Sequence, residues 1–176
     1  MEIIIRKELD KDYKIIENVV EQAFKNAEFS DHDEHNLVGR LRKSNEFIED
    51  LSMVAEVDGI IVGHIMLSKI KINNNVESQE SLALAPVSVI EKYQGKGIGK
   101  ELIKTALNKA KKLGYKSVIV LGHESYYPKF GFKLASSYGI KPPFEVPDEA
   151  FMALELNDGD LDGVSGIVEY SRAFLG

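Results

Sequence analysis

Hydrophobic positions along the chain follow a two-residue period in some stretches and a helical period in others. The runs EIIIRK, KSVIVLG, AFMALEL and GIVEYS predict strands. Two long apolar runs joined by Asp58-Gly59 predict a β-hairpin, because this dipeptide favours a two-residue turn. The run SLALAPVSVI is almost continuously apolar, which predicts a central strand buried on both faces. Pro86 cannot donate a ladder hydrogen bond, so it predicts a bulge in that strand.

Three segments have the spacing of amphipathic helices. Asp10 is the expected N-cap of the first helix. The apolar residues of that helix are Tyr13, Ile16, Val20 and Phe24. SDHDEHNLVGRLRKS predicts a short second helix with acidic residues in its first turn. The third helix ends at Gly114. Its apolar stripe is formed by Ile98, Leu102, Ala106, Ala110 and Leu113.

The order of these elements predicts one domain, residues 1–176, of the α+β (α/β) class. The strand KSVIVLG follows the third helix, which places it in a βαβ relation to the central strand. About seven strands and three or four helices together predict a single mixed central sheet with a bulged central strand. A length of 176 residues suits one hydrophobic core.

Composition narrows the class of protein. Hydrophobic residues make up 44% and charged residues 28%, as is usual for a globular protein in water. The absence of cysteine excludes disulfides and sulfur-based metal sites. No apolar run approaches the roughly 20 residues that span a membrane. The three-residue apolar run of MEIIIRKELD is too short for a signal peptide, so we expect no membrane attachment and a cytoplasmic location.

Charge is distributed unevenly along the chain. The formal net charge of −6 argues against a nucleic-acid partner. Residues 91–116 nevertheless contain eight lysines and two glutamates, a local charge of +6, which leaves −12 elsewhere. Two interpretations are open: a solvated lysine-rich helix face, or a cationic rim for a phosphate-bearing ligand.

The stretch YQGKGIGKELI places three glycines, Gly95, Gly97 and Gly99, directly before the third helix. Glycine destabilises a helix by about 1 kcal/mol relative to alanine, so this cluster favours a backbone that approaches a ligand closely. A Walker loop is excluded because Lys100 is followed by Glu101. A dinucleotide fingerprint is excluded because lysine occupies the position of its third glycine.

The pattern Gln94-x-x-Gly97-x-Gly99 after APVSVIEKY resembles the acyl-coenzyme A loop of the GNAT superfamily of N-acetyltransferases. YYPKFGF resembles a later signature of the same superfamily. VGHIMLS, EVPDEAFMALEL and GVSGIVEY are similar to segments of a bacterial subgroup, so the resemblance covers nearly the whole chain. It implies the GNAT fold, acetyl-CoA as cosubstrate, no metal, and transfer of an acetyl group to a primary amine of a small molecule or protein. Dimerisation is common in that superfamily and is left open.

The resemblance also implies a role for individual residues. Those whose backbone amides cradle the pyrophosphate are Gly95, Lys96, Gly97, Ile98, Gly99 and Lys100, preceded by Gln94. The residues that bond the pantetheine arm like an added strand are Val87, Ser88 and Val89. One of their amides polarises the thioester carbonyl. Many members of the superfamily carry a pantetheine-binding asparagine a few residues before the tyrosine of the later signature. This chain departs from that pattern with His123, Glu124 and Ser125, of which Ser125 is the candidate for the cofactor contact.

Tyr127 aligns with the tyrosine of the later signature and is the candidate acid for the leaving thiolate, with Tyr126 at the adjoining aromatic position. Glu34 is the candidate base. His64, His123 and a chain of water molecules are alternatives to it.

Other interpretations are weighed against this one. A metal site at the two histidines of SDHDEH is disfavoured relative to a solvated acidic helix start. The acidic surface outside residues 91–116 hints at a cationic acceptor. A non-catalytic acyl-CoA-binding module is the main alternative function, and a nucleotide-dependent kinase or oxidoreductase is a weaker one.

Overall fold

The computed structural model describes residues 1–28 and 30–176. Its α-helices are α1 (Tyr13–Phe24), α2 (Glu34–Arg42) and α3 (Ile98–Lys112). The strands in the first half of the described chain are β1 (Ile4–Lys7), β2 (Phe47–Val57), β3 (Ile60–Asn73) and β4 (Ser78–Val89). Those in the second half are β5 (Ser117–Leu121), β6 (Lys133–Leu134), β7 (Ile140–Lys141), β8 (Phe151–Glu155) and β9 (Gly166–Glu169). All seven predicted strands are present; β6 and β7 have two residues each, too few to show a period.

These strands form one mixed sheet in the order β1-β2-β3-β4-β5-β8-β6, and β9 pairs with both β3 and β7. The β4–β5 pair is parallel and is connected through α3, which confirms the predicted βαβ unit. The predicted hairpin turn is also confirmed, since Asp58 and Gly59 both have positive φ angles, 52° and 77°.

The centre of β4 carries the predicted bulge. Val87 pairs with Ile65, whereas Leu84 pairs with Leu67, so two residues of β4, Ala85 and Pro86, lie opposite one residue of β3. The β4–β5 ladder comprises two pairs, Leu82 with Val118 and Ala83 with Ile119. Beyond the bulge, the described residues of β4 and β5 are unpaired with each other, so the two strands diverge towards their carboxyl ends.

Helices cover opposite faces of the sheet. Val54 packs with the apolar residues of α1 and α2, whereas its neighbours Met53 and Ala55 pack with those of α3. Successive strand residues point to opposite faces, so α3 lies on one face and the α1–α2 pair on the other. In the described part of the chain, no helix is long and apolar enough to cross a membrane.

Two local predictions at helix ends were wrong. Asp10 belongs to a 3-10 turn, and the N-cap of α1 is Asp12, whose carboxylate instead accepts the Leu9 amide at 2.8 Å. Leu113 is 41% exposed, because α3 ends one residue earlier and the chain turns away from the sheet there.

Candidate functional site

The glycine loop leads directly into α3. Gly95 and Gly97 have φ angles of 74° and 82°, the left-handed region that favours glycine, and Gly97 is the N-cap of the helix. A Cβ atom built at either position would meet no atom within 4 Å, so the loop is open on its outer side. The cluster therefore sets the backbone conformation of an exposed turn.

Backbone amides of this turn point away from protein acceptors. Among the described residues, those of Gly95 to Lys100 have no carbonyl partner, and the first to find one is Glu101, which donates to the Gly97 oxygen at 3.1 Å. Free amides at a helix N-terminus are typical of anion-binding sites. Gln94 connects this turn to β4, because its Nε2 donates to the carbonyl oxygen of Val89 at 2.9 Å.

The end of β4 presents a strand edge. Val87, Ser88 and Val89 pair on one side with residues 63–65 of β3. On the other side they face the opening where β5 diverges, and they have no strand partner there among the described residues. An extended ligand can add to such an edge through main-chain hydrogen bonds.

Lysines of α3 gather beside the glycine loop. A hollow of about 600 Å³ is lined by Lys100, Lys104 and Lys111 of α3, together with Lys129 and Tyr126 from the loop after β5. Lys96 instead lies over the ring of Tyr93, 5.5 Å from its centroid. Residues 91–116 thus contribute a concave cationic surface as well as solvated side chains.

Tyr127 is buried at the end of β5. Its ring packs edge-on against Phe132 at 5.7 Å and against Tyr126 at 5.2 Å, and 8% of the residue is exposed. Burial, with a smaller contribution from Tyr126, raises the pKa of Tyr127 to about 12. The hydroxyl therefore keeps its proton throughout the neutral pH range and is available as a donor.

Gly122 makes room for that ring, a role that sequence reasoning missed. A Cβ atom at Gly122 would overlap the Tyr127 ring, at 2.8 Å from Cδ2. A glycine directly after a predicted strand is the pattern that could have indicated such a close approach.

Ser125 and His123 occupy the exposed loop between β5 and Tyr127. The Oγ of Ser125 lies 2.9 Å from Nδ1 of His123, so these two side chains satisfy each other. The hydroxyl of Tyr126 reaches in the other direction, to within 3.6 Å of a Cβ atom built on Gly99. Tyr126 thus connects this loop with the start of α3.

A larger cleft of about 1300 Å³ opens on the α1–α2 face of the sheet. Its floor includes Leu84 and Ala85 of β4 and Leu121 of β5, which flank the point where the strands diverge. Glu34 lines the cleft from the first turn of α2, and its carboxylate accepts a hydrogen bond from Ser30 at 2.6 Å. The predicted base, Glu34, thus lines the same cleft as the strand residues that flank the divergence of β4 and β5.

His64 lies elsewhere, fully buried in the sheet and outside the lining of the cleft. Its Nε2 is 3.1 Å from Oε1 of Glu8, whose carboxylate also receives two hydrogen bonds from Arg42, at 2.8 and 3.1 Å. Burial lowers the pKa of His64 below 6.5, so the neutral ring donates from Nε2 to Glu8. This contact holds the buried ring in place within the sheet. His64 therefore has a structural role and is not in contact with the cleft.

Glu8 is the anion of that buried cluster. Burial alone would raise its pKa, but hydrogen bonds from His64, Arg42 and Ser52 outweigh burial and lower the pKa to about 2. The cluster connects the chain after β1 with β2, β3 and α2, the helix that forms one side of the cleft.

The two histidines of SDHDEH make other contacts. Nδ1 of His32 lies 2.9 Å from the carbonyl oxygen of Phe24, and Nε2 of His35 lies 3.1 Å from Glu21. Among residues 1–28 and 30–176, no group of three or more histidine, aspartate or glutamate side chains is arranged to hold a metal.

A glycine turn that opens a helix between two parallel strands, beside a strand edge left free by a bulge, defines a class of α/β protein. Such proteins take a phosphate-bearing ligand at the carboxyl ends of their strands. A family model described as the acetyltransferase (GNAT) family matches residues 11–132. The chain therefore belongs to the acetyltransferase (GNAT) family, and the predicted superfamily is confirmed.

The similarity to known proteins extends over nearly the whole length of the chain. The N-acetyltransferase YhbS of Escherichia coli K12 is 31% identical over 173 residues, which cover 98% of both chains. The crystal structure of Escherichia coli YhbS in complex with CoA has a TM-score of 0.88 at 29% identity, and the match covers 100% of this chain and 93% of that one. A GNAT family acetyltransferase from Brucella melitensis, solved with acetyl-CoA, has a TM-score of 0.81 at 32% identity and 98% coverage of both chains. The predicted GNAT fold is thereby confirmed.

Proposed function

We propose that this acetyl-CoA-dependent N-acetyltransferase transfers the acetyl group to a primary amine that attacks the thioester directly. The observation that carries the proposal is the free edge of β4, which lies between an anion-binding turn on one side and a large cleft on the other. Similar proteins solved with CoA and acetyl-CoA support the choice of cosubstrate. Residues 1–176 act as one domain in this proposal, because β9 pairs with β3 at the centre of the sheet.

Phosphate oxygens of the cosubstrate are held by the amides of Gly95 to Lys100, which have the open geometry that this contact needs. Lys100, Lys104 and Lys129 line the adjoining hollow and balance the remaining phosphate charge. The pantetheine arm adds to the free edge at Val87 to Val89. Ser125, whose hydroxyl is bonded to His123, contacts this arm from the loop after β5.

The chemical step forms a C–N bond and breaks the C–S bond of the thioester. An amide of Val87 to Val89 stabilises the negative charge that develops on the carbonyl oxygen. Tyr127 donates a hydrogen bond to the leaving sulfur. Full proton transfer from a group of pKa about 12 to a thiolate of pKa about 8.5 is uphill, so stabilisation by the intact hydroxyl is its main contribution.

The acceptor amine enters from the cleft and must lose one proton. An amine of pKa about 10.4 is neutral in only about one molecule in 2,500 at pH 7, so a base increases the rate. Glu34 lines the cleft and is the proposed base, acting directly or through water. Attack by the neutral amine then releases a second proton from its nitrogen as the amide forms. The proton balance closes because the leaving thiolate takes up one of these two protons and the other passes to solvent.

The proposal is tested in two stages with the full-length protein. Calorimetric titration with acetyl-CoA, CoA, ATP and NAD should show micromolar binding of acetyl-CoA and CoA, and no tight binding of ATP or NAD. Release of free thiol in the presence of an amine panel then measures turnover. Binding of acetyl-CoA without turnover on any amine would favour the non-catalytic acyl-CoA module, and tight binding of ATP or NAD instead would overturn the assignment.

A further inference from the structure

The wall of the cleft opposite β4 is built by residues that follow the segment matched by the family model. The family match ends at residue 132, whereas Phe144, Tyr170 and Phe174 all line the cleft from positions beyond it. Phe144 follows β7, Tyr170 follows β9, and Phe174 lies in the last 3-10 turn of the chain. The part of the cleft that lies beyond the matched segment therefore includes three aromatic rings.

These three rings form one continuous surface. Phe144 and Tyr170 stack with an interplanar angle of 18° and a centroid distance of 5.9 Å, and Phe174 packs 5.1 Å from Tyr170. Buried Phe151 supports Phe144 from behind at 6.5 Å. Phe144 nevertheless remains 44% exposed. A supported, half-exposed ring stack in a cleft is suited to bind an apolar group of a ligand.

Charge in the same cleft favours a cation. Asp33 forms an ion pair with Arg40 at 3.0 Å. The other carboxylates of the lining, Asp31, Glu34 and Glu169, have uncharged hydrogen-bond partners among the described residues. One further cation, Lys141, lines the cleft, so its carboxylates outnumber its cations by four to two. An amine that arrives as an ammonium ion is attracted to such a cleft.

We infer that the acceptor is a small primary amine whose body is an aromatic or alicyclic ring, bound against the wall formed by Phe144, Tyr170 and Phe174. This inference rests on the proposed function and specifies its acceptor. A linear polyamine complements the carboxylates and can place an ammonium group over a ring, but it has no flat apolar face to pack against the stack. An extended peptide cannot add to β9 in this wall as a further strand, because the start of β9 is already paired with β7 and the rest with β3.

The test compares acceptors of matched charge. Full-length protein with saturating acetyl-CoA is assayed by thiol release on 2-phenylethylamine, cyclohexylmethylamine, spermidine and a short lysine peptide. We expect the two ring-bearing amines to exceed the other two by at least tenfold in kcat/KM. The reverse order, with spermidine or the peptide preferred, overturns the inference while the proposed function stands.

Two variants test whether the aromatic wall is responsible for the preference for ring-bearing amines. Phe144→Ala should raise the KM for 2-phenylethylamine on the order of tenfold, since it removes one partner of an aromatic contact, and should leave the KM for acetyl-CoA unchanged. Ile60→Ala removes a similarly exposed apolar side chain at the β2–β3 hairpin, outside the lining of the cleft, and should change neither value. Equal KM values for 2-phenylethylamine in both variants would overturn the inference.

Saturation-transfer NMR distinguishes failure of this inference from failure of the proposed function. In one outcome no amine is acetylated, but 2-phenylethylamine binds the CoA-loaded protein and binds Phe144→Ala more weakly. That result would support the ring-binding wall and refute the proposed transfer reaction. If the protein binds CoA but not 2-phenylethylamine, the wall has been assigned the wrong ligand.

Discussion

Gly122→Ala adds a single methyl group at the position where the structure leaves least room for it. The new Cβ atom would overlap the ring of Tyr127 and lie 2.8 Å from Cδ2, closer than carbon atoms pack in proteins. Tyr127 is held on its other sides by Tyr126, Phe130 and Phe132. The ring therefore cannot turn aside without moving the aromatic cluster around it.

Two effects of different size follow from this overlap. Overpacking in a filled core typically destabilises a protein by about 1–3 kcal/mol, which is the loss we expect in the free energy of unfolding. Relief of the overlap requires a displacement on the order of 1 Å at the Tyr127 ring, and a misplacement of that size can lower kcat about 10²-fold. Binding of acetyl-CoA should change less than kcat, because the added methyl group meets Tyr127, whereas the cluster reaches the phosphate turn through the hydroxyl of Tyr126 near Gly99.

Urea denaturation measures the first effect, and thiol release on the best amine of the panel measures the second. Gly39→Ala is the matched control. The same methyl group in α2 meets only Glu17 Oε1 at 3.6 Å, an ordinary contact, and alanine is the better helix former by about 1 kcal/mol. Wild-type stability together with wild-type kcat in Gly122→Ala would refute the packing role of Gly122 and the positioning of Tyr127.

Tyr127→Phe should lower kcat about 10²-fold with an unchanged dissociation constant for acetyl-CoA. Its control is Tyr115→Phe, since Tyr115 lies outside the lining of both cavities, and equal kcat values of the two variants in a thiol-release assay would count against Tyr127 as donor. Gly97→Glu should abolish acetyl-CoA binding in calorimetry, whereas Gly97→Ala, which shares the strain at a φ of 82° without the charge, should retain part of it. Glu8→Gln should cost about 3–5 kcal/mol in urea denaturation at pH 7, because Arg42 loses its buried anion, whereas Glu56→Gln, at a side chain 20% exposed, should cost less than about 1 kcal/mol. Because the pKa of Glu8 is lowered in the folded protein, its carboxylate stabilises the fold at pH values above its unfolded-state pKa. The difference in unfolding free energy between the wild type and Glu8→Gln should therefore shrink as the pH falls from 4.5 towards about 2. A difference that stays constant over this range would contradict the role of the Glu8 carboxylate.

Local features of the site could be predicted because each depends on a few adjacent residues. Gly95 and Gly97 adopt positive φ angles that only glycine takes readily, so their presence before a helix already indicates the turn. Pro86 cannot complete a ladder, so it indicates the bulge from which β4 and β5 diverge. The assignment of these features to acetyl-CoA came from resemblance, since an anion-binding turn alone does not distinguish one phosphate ligand from another.

The roles of the histidines depend on contacts between residues far apart in sequence. His64 is a plausible base in the sequence, but its partner Glu8 lies 56 positions away and reaches it only through the pairing of β1, β2 and β3. Burial of this pair keeps His64 neutral and bonded, which removes it from the list of bases at the cleft. Glu34 remains a candidate because α2 brings it to the cleft.

The aromatic wall of the cleft also could not be predicted from the sequence. Phe144 lies in a proline-rich loop and Phe174 in a terminal 3-10 turn, and neither segment has a helical or strand period that would indicate an inward face. Pairing of β9 with both β3 and β7 brings these segments against the cleft, and its pairs with β3 join residues more than 90 positions apart. The turn and the bulge of the cofactor site thus follow from local sequence patterns, whereas the surface that selects the acceptor arises from long-range contacts of β9 and the segments around it. Exchange of residues 140–146 and 166–176 between relatives of this length should therefore transfer acceptor preference. It should leave the affinity for acetyl-CoA unchanged, because neither segment lines the lysine-rich hollow.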